Sequence, residues 1–245
     1  MPLLCGGEGG NIVEVIYKRL ALGAIFITLP IIIILTNLEL VAFNKNFYNA
    51  KYDKYQVVEN TGIKKDELME VTHELLSYLR GERNDLKIYA NVLGDNRLLF
   101  DERDRAHMVD VQVLFIKGTL LRNISSIVFI IGFIYLIFIK KYRREAVRML
   151  LNSIITTAIL IILLAIIIST DFSKYFDIFH YIFFDNDLWR LDPNKSILIN
   201  LVPLGFFKDI VVKLGLNISI SFALITLISI WYLRKNKSTI KYKIL

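Results

Sequence analysis

The chain has 245 residues, of which 55% are hydrophobic, 22% are charged and one is a cysteine, and its formal net charge is +7. The hydrophobic residues are concentrated in four long runs, a composition that indicates an integral membrane protein and excludes a soluble globular domain. A single cysteine excludes a disulfide framework and any multi-cysteine zinc or iron–sulfur site.

Four uncharged stretches are long enough to cross a bilayer as helices, which takes about 20 apolar residues. They are 20–38, 124–139, 149–170 and 214–233. The first contains Pro30, where a kink is expected. We therefore predict an all-α integral membrane protein, with four transmembrane helices and two extracytoplasmic loops that bear interfacial amphipathic helices. Because the spans lack charged residues, a transporter is disfavoured.

The distribution of charge predicts the orientation of these spans. Twelve basic and three acidic residues lie in the segments 1–19, 140–148 and 234–245. By contrast, 18 basic and 20 acidic residues lie in the two long loops, 39–123 and 171–213. Short cytoplasmic loops retain lysine and arginine, so both termini are predicted to be cytoplasmic and both long loops extracytoplasmic. Topology and anionic lipid account for the basic excess, and no nucleic-acid binding is predicted.

The first extracytoplasmic loop contains the pattern of an amphipathic helix over 65–80, ending near Gly81. Its apolar stripe consists of Leu68, Val71, Leu75, Leu76 and Leu79. His73 lies on the opposite, acidic face and is interpreted as a solvated surface histidine. The stripe can pack against the spans or lie among lipid headgroups, and the sequence leaves both open.

A second helix is predicted to begin near Asp101 and to continue into the second span, because no proline interrupts the run. His107 shares a face with the apolar Val111, which turns the imidazole inward at the membrane boundary. Asp104 and Asp110 lie one turn before and one turn after His107 and are possible partners for a ring nitrogen. A structural interfacial histidine and a functional one both fit this position.

The second extracytoplasmic loop is rich in aromatic residues, which make up eight of the 18 residues from 172 to 189. Several recur at helical spacing, which predicts a short helix in the membrane interface. His180 shares its face with Phe176, and Asp177 lies one turn before His180. An aromatic belt that only anchors the loop is the simpler interpretation. A polar cluster then ends the helix and comprises Asp185, Asn186, Asp187, Trp189, Arg190 and Asp192.

Two inward histidines with nearby carboxylates have the components of general acid and base catalysis near neutral pH. A metal site is a weaker alternative, because neither histidine lies in a His-x-x-x-His or His-Glu-x-x-His arrangement. No Gly-x-Ser-x-Gly motif supplies a nucleophile. We predict neither a metal nor a cofactor.

At these residues the chain resembles the bacterial lipoprotein intramolecular transacylases. The resemblance is carried by the segments 107–111 (HMVDV), 179–184 (FHYIFF), 186–189 (NDLW) and 191–193 (LDP), and it continues through Leu198, Ile199, Pro203, Phe206 and Phe207. The chain departs from the family pattern at Ser196 and Leu204, where acidic residues are expected.

The resemblance implies an enzyme of the bacterial plasma membrane that needs no cofactor and acts on the lipid-modified N-terminus of lipoproteins. It moves the sn-2 acyl chain of a diacylglyceryl-cysteine onto the α-amine of the same cysteine, which gives a lyso-form lipoprotein. The two histidines on which the family depends correspond to His107 and His180. His180 as base and His107 as acid is one assignment, and the reverse stays open.

Other residues of the second loop and of the second helix are predicted to have supporting roles in this chemistry. Asp110, with Asp177 or Asp187, is expected to fix the histidine tautomers. Asn186, Trp189 and Arg190 are expected to shape the site or to stabilise the tetrahedral oxyanion. The competing hypothesis is a membrane-anchored binding or scaffold protein, in which both histidines tolerate substitution.

Overall fold

A computed structural model describes residues 8–139 and 142–241, with side chains described for 12–139 and 142–236. The predicted cytoplasmic segments 1–19, 140–148 and 234–245 therefore lie partly outside the described residues. In chain order the elements are α1 (Glu8–Ala42), α2 (Lys45–Lys54), α3 (Val57–Thr61), α4 (Lys65–Leu79), β1 (Tyr89–Val92), β2 (Asp95–Leu98), α5 (Glu102–Phe138), α6 (Arg143–Thr170), α7 (Phe172–Phe183), α8 (Ile197–Leu201) and α9 (Leu204–Lys241).

Four of the described helices are long and apolar enough to cross a membrane, and their candidate spans are Ile12–Ala42, Glu102–Phe138, Arg143–Thr170 and Leu204–Asn236. Each includes all or nearly all of one predicted stretch, so the prediction of a four-span helical membrane protein is confirmed. Helix α1 continues through Pro30. Helix α5 has 37 residues, and it starts where the sequence predicted a continuous helix to begin.

The first of two compact units comprises Met1–Thr36, Leu121–Leu164 and Asn217–Leu245. Its helices bury large side chains such as Ile25 and Leu136 and also contact one another through small and polar groups, as is common between helices in lipid. A Cβ at Gly132 would lie 3.4 Å from the backbone oxygen of Ala21, which is ordinary van der Waals contact, so α1 and α5 lie close together at this position. Ser153 Oγ donates to the backbone oxygen of Phe26 at 2.8 Å.

The second unit comprises Asn37–Leu120 and Ala165–Leu216. Its core is built on the apolar stripe of α4, all five members of which are buried together with Phe100, Leu201 and Phe206. The stripe therefore packs within the protein, a choice that the sequence had left open. The bounds of α4 confirm the helix predicted over 65–80, Gly81 follows it with a φ of 75°, and His73 is exposed.

A β-hairpin is the one departure from the all-α prediction among the described elements. Strands β1 and β2 pair antiparallel, with Tyr89 opposite Leu98 and Val92 opposite Asp95. Leu93 and Gly94 form the turn with φ values of 54° and 105°, as a two-residue hairpin connection requires. Strands of four residues are at the lower limit of length for an alternating pattern, and β2 (DNRL) does not alternate.

A reciprocal hydrogen-bond pair starts α5, one turn before His107. Asp101 Oδ1 accepts from the Asp104 backbone N–H at 2.7 Å, and Asp104 Oδ2 accepts from the Asp101 N–H at 3.4 Å. The other oxygen of the buried Asp104 accepts from Ser196 Oγ at 2.5 Å. Ser196 Oγ also accepts from the N–H of Ile199 and so caps α8. The start of α5 is thereby fixed to α8.

Candidate active site

Both candidate histidines lie in the second unit, and the fold brings their rings together. His107 is in the second turn of α5 and His180 is near the end of α7, with ring centroids 6.0 Å apart and ring planes at 39°. The two residues are only 8% and 7% exposed. Two titratable rings that are buried and adjacent have the geometry to exchange protons with one substrate.

The tautomer of His180 is fixed by a backbone carbonyl. Nδ1 lies 2.7 Å from the backbone oxygen of Phe176, and because a carbonyl oxygen only accepts, Nδ1 carries a proton and donates it. In the neutral ring the lone pair is therefore on Nε2. Burial lowers the pKa of His180 below its usual value of 6.5, against the opposing effects of the Phe176 hydrogen bond and the Asp177 charge. The imidazole is thus neutral at pH 7.

His107 has a free ring nitrogen. Its Nδ1 is buried and has no hydrogen-bond partner among the described residues. The ring contacts Phe184 edge-on, with centroids 5.3 Å apart. Among the described side chains, no three His, Cys, Asp or Glu residues cluster as a metal site requires. A buried polar nitrogen without a partner is costly, and a bound ligand is one way to satisfy it.

Aromatic rings surround His180 on several sides. The indole of Trp189 stacks on the imidazole with centroids 4.6 Å apart, and the ring of Phe176 meets it edge-on at 4.5 Å. Phe179 and Phe184 lie at 5.5 and 5.6 Å. These apolar neighbours desolvate the imidazole and account for its lowered pKa.

The polar loop after α7 connects the two histidine-bearing helices. The side-chain amide of Asn186 donates to Asp110 Oδ2 at 2.8 Å, and Asp110 lies one turn after His107 on α5. The backbone oxygen of Asn186 accepts from Trp189 Nε1 at 3.1 Å. Asn186 therefore couples the position of the indole that covers His180 to the helix that carries His107.

The remaining predicted residues lie further out. Arg103 donates to the backbone oxygen of Asp187, and its guanidinium is 3.4 Å from the Asp187 carboxylate. Arg190 donates to the hydroxyl of Tyr181, and its guanidinium lies over the Trp189 ring at 5.1 Å. Asp177 is exposed. Arg103 was not identified from the sequence, although it shares α5 with His107.

The carboxylates expected to fix the tautomers do not do so in this structure. Within the described residues, neither Asp110, Asp177 nor Asp187 hydrogen-bonds to a histidine ring. The carbonyl of Phe176 fixes His180 instead. Sequence reasoning missed it because every residue has a carbonyl, and the available signal was the four-residue spacing between Phe176 and His180 on one helix.

Comparisons with known proteins identify the family and the fold of the chain. A family model described as lipoprotein intramolecular transacylase Lit matches residues 24–207, a range that contains both histidines. An in meso structure of the membrane integral lipoprotein intramolecular transacylase Lit from Bacillus cereus is 25% identical, with a TM-score of 0.76 over 91% of this chain and 98% of that chain. A histidine-to-arginine variant of the Bacillus protein is 23% identical, with a TM-score of 0.77 over 96% and 100%. An uncharacterized protein of Aquifex aeolicus (strain VF5) is 24% identical over 170 residues, which are 69% of this chain and 74% of that protein.

Proposed function

Because this chain belongs to the lipoprotein intramolecular transacylase family and is a membrane acyltransferase, we propose that it transfers an acyl chain within a single lipoprotein molecule. The donor is the sn-2 ester of a diacylglyceryl-modified N-terminal cysteine, and the acceptor is the α-amine of that cysteine. The product is an N-acylated lipoprotein with a monoacylglyceryl thioether. The buried pair of histidine rings, 6.0 Å apart, is the observation that carries this proposal.

An intramolecular transfer suits a site with two histidines and no nucleophile motif. Amine and ester already belong to one molecule, so holding them in a reactive geometry supplies much of the acceleration. The enzyme then needs to move protons and to stabilise the tetrahedral intermediate, without forming an acyl-enzyme. Histidines buried among aromatic rings can do the first of these tasks near neutral pH.

His180 is the general base and His107 the general acid. The α-amine nitrogen attacks the sn-2 carbonyl carbon, and the bond from that carbon to the glycerol oxygen breaks as the C–N bond becomes an amide. Nε2 of His180 accepts the proton that the nitrogen loses, and the glycerol oxygen receives a proton from His107. Return of the proton from His180 to His107 restores both rings, so transfer from a neutral amine consumes no net proton.

The assignment of the base to His180 is supported by its hydrogen bond to Phe176. A ring whose Nδ1–H is already held by a carbonyl presents an unprotonated Nε2, which is the form a base needs. Within the described part of the chain, the ring of His107 has no such partner at Nδ1. Its nitrogen is available to donate toward the leaving glycerol oxygen.

The loop residues have positioning and electrostatic roles in this proposal. Trp189 holds the plane of the His180 ring and excludes water from one of its faces. Asn186 and Arg190 supply N–H donors for the tetrahedral oxyanion. The charge of Asp177 acts on the His180 ring. Asp187 forms an ion pair with Arg103, and this pair keeps the loop near α5.

We also propose that the site faces the extracytoplasmic side of the bacterial plasma membrane, with both termini in the cytoplasm. Support comes from the excess of basic residues in 1–19, 140–148 and 234–245. Both histidines belong to the segments on the other side of the spans. The partners are then lipid-modified N-termini of lipoproteins and the membrane lipids around them.

The experiment uses a bacterial host whose lipoproteins carry a diacylglyceryl group and a free α-amine, with and without this protein. Intramolecular transfer leaves the intact mass unchanged, so tandem mass spectrometry of the N-terminal lipopeptide is required. We expect fragments in which one acyl chain is attached to the α-amine of the cysteine. The glyceryl group should then carry one acyl chain instead of two. Lipopeptides that keep a free amine and both esters in the presence of folded protein would contradict the proposal and favour a binding or scaffold protein.

A further inference from the structure

A carboxylate with a free oxygen lies beside the buried histidine pair. Asp110 is half-buried on α5, one turn after His107, and its charge acts on the His107 ring. Oδ2 accepts from the amide of Asn186, whereas no described side chain donates to Oδ1. Asp110 forms no ion pair with a described lysine or arginine, and Arg103, seven residues earlier on α5, is paired with Asp187.

The surroundings of this carboxylate favour a cation. The neighbouring imidazole of His180 is neutral, and the rings of Phe184 and Trp189 line the pair without supplying positive charge. A carboxylate in a partly desolvated position gains most from a positively charged hydrogen-bond donor. Aromatic faces attract cations as well. The buried Nδ1 of His107, which has no partner among the described residues, is a further sign that polar groups of a substrate enter this site.

We infer that Asp110 is the subsite for the α-ammonium group of the substrate, an inference that rests on the proposed function. Oδ1 accepts a hydrogen bond from the ammonium, while Asn186 holds Oδ2 and so orients the carboxylate. The ammonium must lose one proton before its nitrogen attacks, and Nε2 of His180 accepts that proton and passes it to solvent. The nitrogen then lies beside the base that its second deprotonation requires.

This subsite makes the enzyme selective for lipoproteins with a free amine. Once the nitrogen is acylated it is a neutral amide, and its attraction to Asp110 is lost. Substrate is therefore held more strongly than product, which favours release after a single transfer. A lipoprotein that already carries an N-acyl group competes poorly for the site.

The test measures binding of unreactive probes to the purified full-length protein in detergent. One probe is a dialkylglyceryl-cysteinyl pentapeptide with a free amine, whose ether bonds cannot be transferred, and the other is the same peptide with an N-acetyl group. We expect the wild-type protein to bind the free-amine probe at least about 10-fold more tightly at pH 7. That preference disappears at pH 9.5, where an α-amine with an ordinary pKa of about 8 is neutral.

The isosteric change Asp110→Asn keeps an oxygen for Asn186 but removes the charge. We expect this change to weaken binding of the free-amine probe about 10-fold. The affinity for the N-acetyl probe should stay within about twofold of the wild-type value. Asp185→Asn is the matched control, because it removes an exposed carboxylate from the loop after α7, beside Asn186, and it should keep the preference. A preference that persists in Asp110→Asn, or a loss of affinity shared equally by both probes, overturns the subsite.

The two proposals fail in different ways. The ether probes measure binding alone. If the wild-type protein forms no N-acyl product from a transferable substrate, the proposed transfer reaction is contradicted, and the binding result is unaffected. If the wild-type protein catalyses transfer but binds both probes equally, only the Asp110 subsite is contradicted. If Asp110→Asn does not fold, persistence of the preference at pH 9.5 in the wild-type protein still overturns the ammonium subsite.

Discussion

The indole of Trp189 is stacked on the imidazole of His180, with ring centroids 4.6 Å apart and ring planes at 25°. The indole is itself held by the hydrogen bond from its Nε1 to the backbone of Asn186. With Nδ1 bound to Phe176, the His180 ring is restrained both in its plane and in its rotation. A base held in this way keeps Nε2 directed to one position, which the proposed reaction requires.

Removal of this stack should lower turnover without removing the base. We expect Trp189→Ala to reduce kcat about 10-fold, because a loosened imidazole spends less time in a productive geometry. Trp189→Phe keeps an aromatic face and should retain most of the activity. The measurement is the rate of N-acyl product formation from a diacylglyceryl-cysteinyl peptide. Equal rates for Trp189→Ala and the wild-type protein would remove the positioning role.

Each of the two buried histidines should be required for transfer. Loss of a general acid or base lowers a rate by about 100-fold to 10,000-fold. We therefore expect the transfer rate of His107→Ala and that of His180→Ala each to be lower by at least about 100-fold. His73→Ala is the matched control, since His73 is exposed on α4. Tandem mass spectrometry of the product checks all three variants in detergent-purified protein. Full activity in both buried-site variants would exclude the histidine pair as the catalytic machinery.

The pKa of His180 should be measurable by NMR of histidine-labelled protein. Because burial lowers this pKa, we expect the titration midpoint of its ring carbon to lie below 6.5. With only three histidines in the chain, His73→Gln and His180→Gln assign the signals. Protonation then favours the unfolded chain, so the contribution of His180 to stability is lost as pH falls from 6.5 through the lowered pKa. A midpoint at or above 6.5 contradicts the burial of the ring.

The hydrogen bond between Ser196 and Asp104 should contribute to stability. Both side chains are buried, and the bond joins the start of α5 to α8. Ser196→Ala leaves a buried carboxylate oxygen without its donor, which costs about 1.5 to 3 kcal/mol for a charged acceptor. Ser196→Thr keeps the hydroxyl and is the matched variant. Thermal unfolding in detergent tests this, and equal midpoints for the alanine and threonine variants would show that the bond contributes nothing.

The proposed orientation predicts which residues a membrane-impermeant maleimide reaches in intact cells. In a Cys5→Ser background, Glu82→Cys places a thiol at an exposed position between α4 and β1, and Asn236→Cys places one near the end of α9. We expect labelling of the first variant in intact cells, and of the second only after permeabilisation. The reverse pattern would place the site on the cytoplasmic side.

Local patterns were sufficient to predict the helices that carry the site. The apolar stripe of α4, the uninterrupted run into α5 and the aromatic spacing of α7 each correspond to a helix with nearly the predicted bounds. The short elements were not predicted, because α3, α8 and the β-hairpin contain too few residues for a periodic pattern. Ser196 departed from the family pattern, and its contact with Asp104 became evident only in the folded chain.

The sequence by itself determined the membrane class, the four spans and the two inward histidines, because hydrophobicity and helical periodicity are properties of neighbouring residues. The tertiary structure alone decided that His107 and His180 meet, that a carbonyl of Phe176 fixes one of them, and that Asn186 links Asp110 to Trp189. These contacts join residues of different elements or use backbone atoms common to every residue. Their formation depends on how α5, α7 and the loop after α7 pack, which no local pattern specifies.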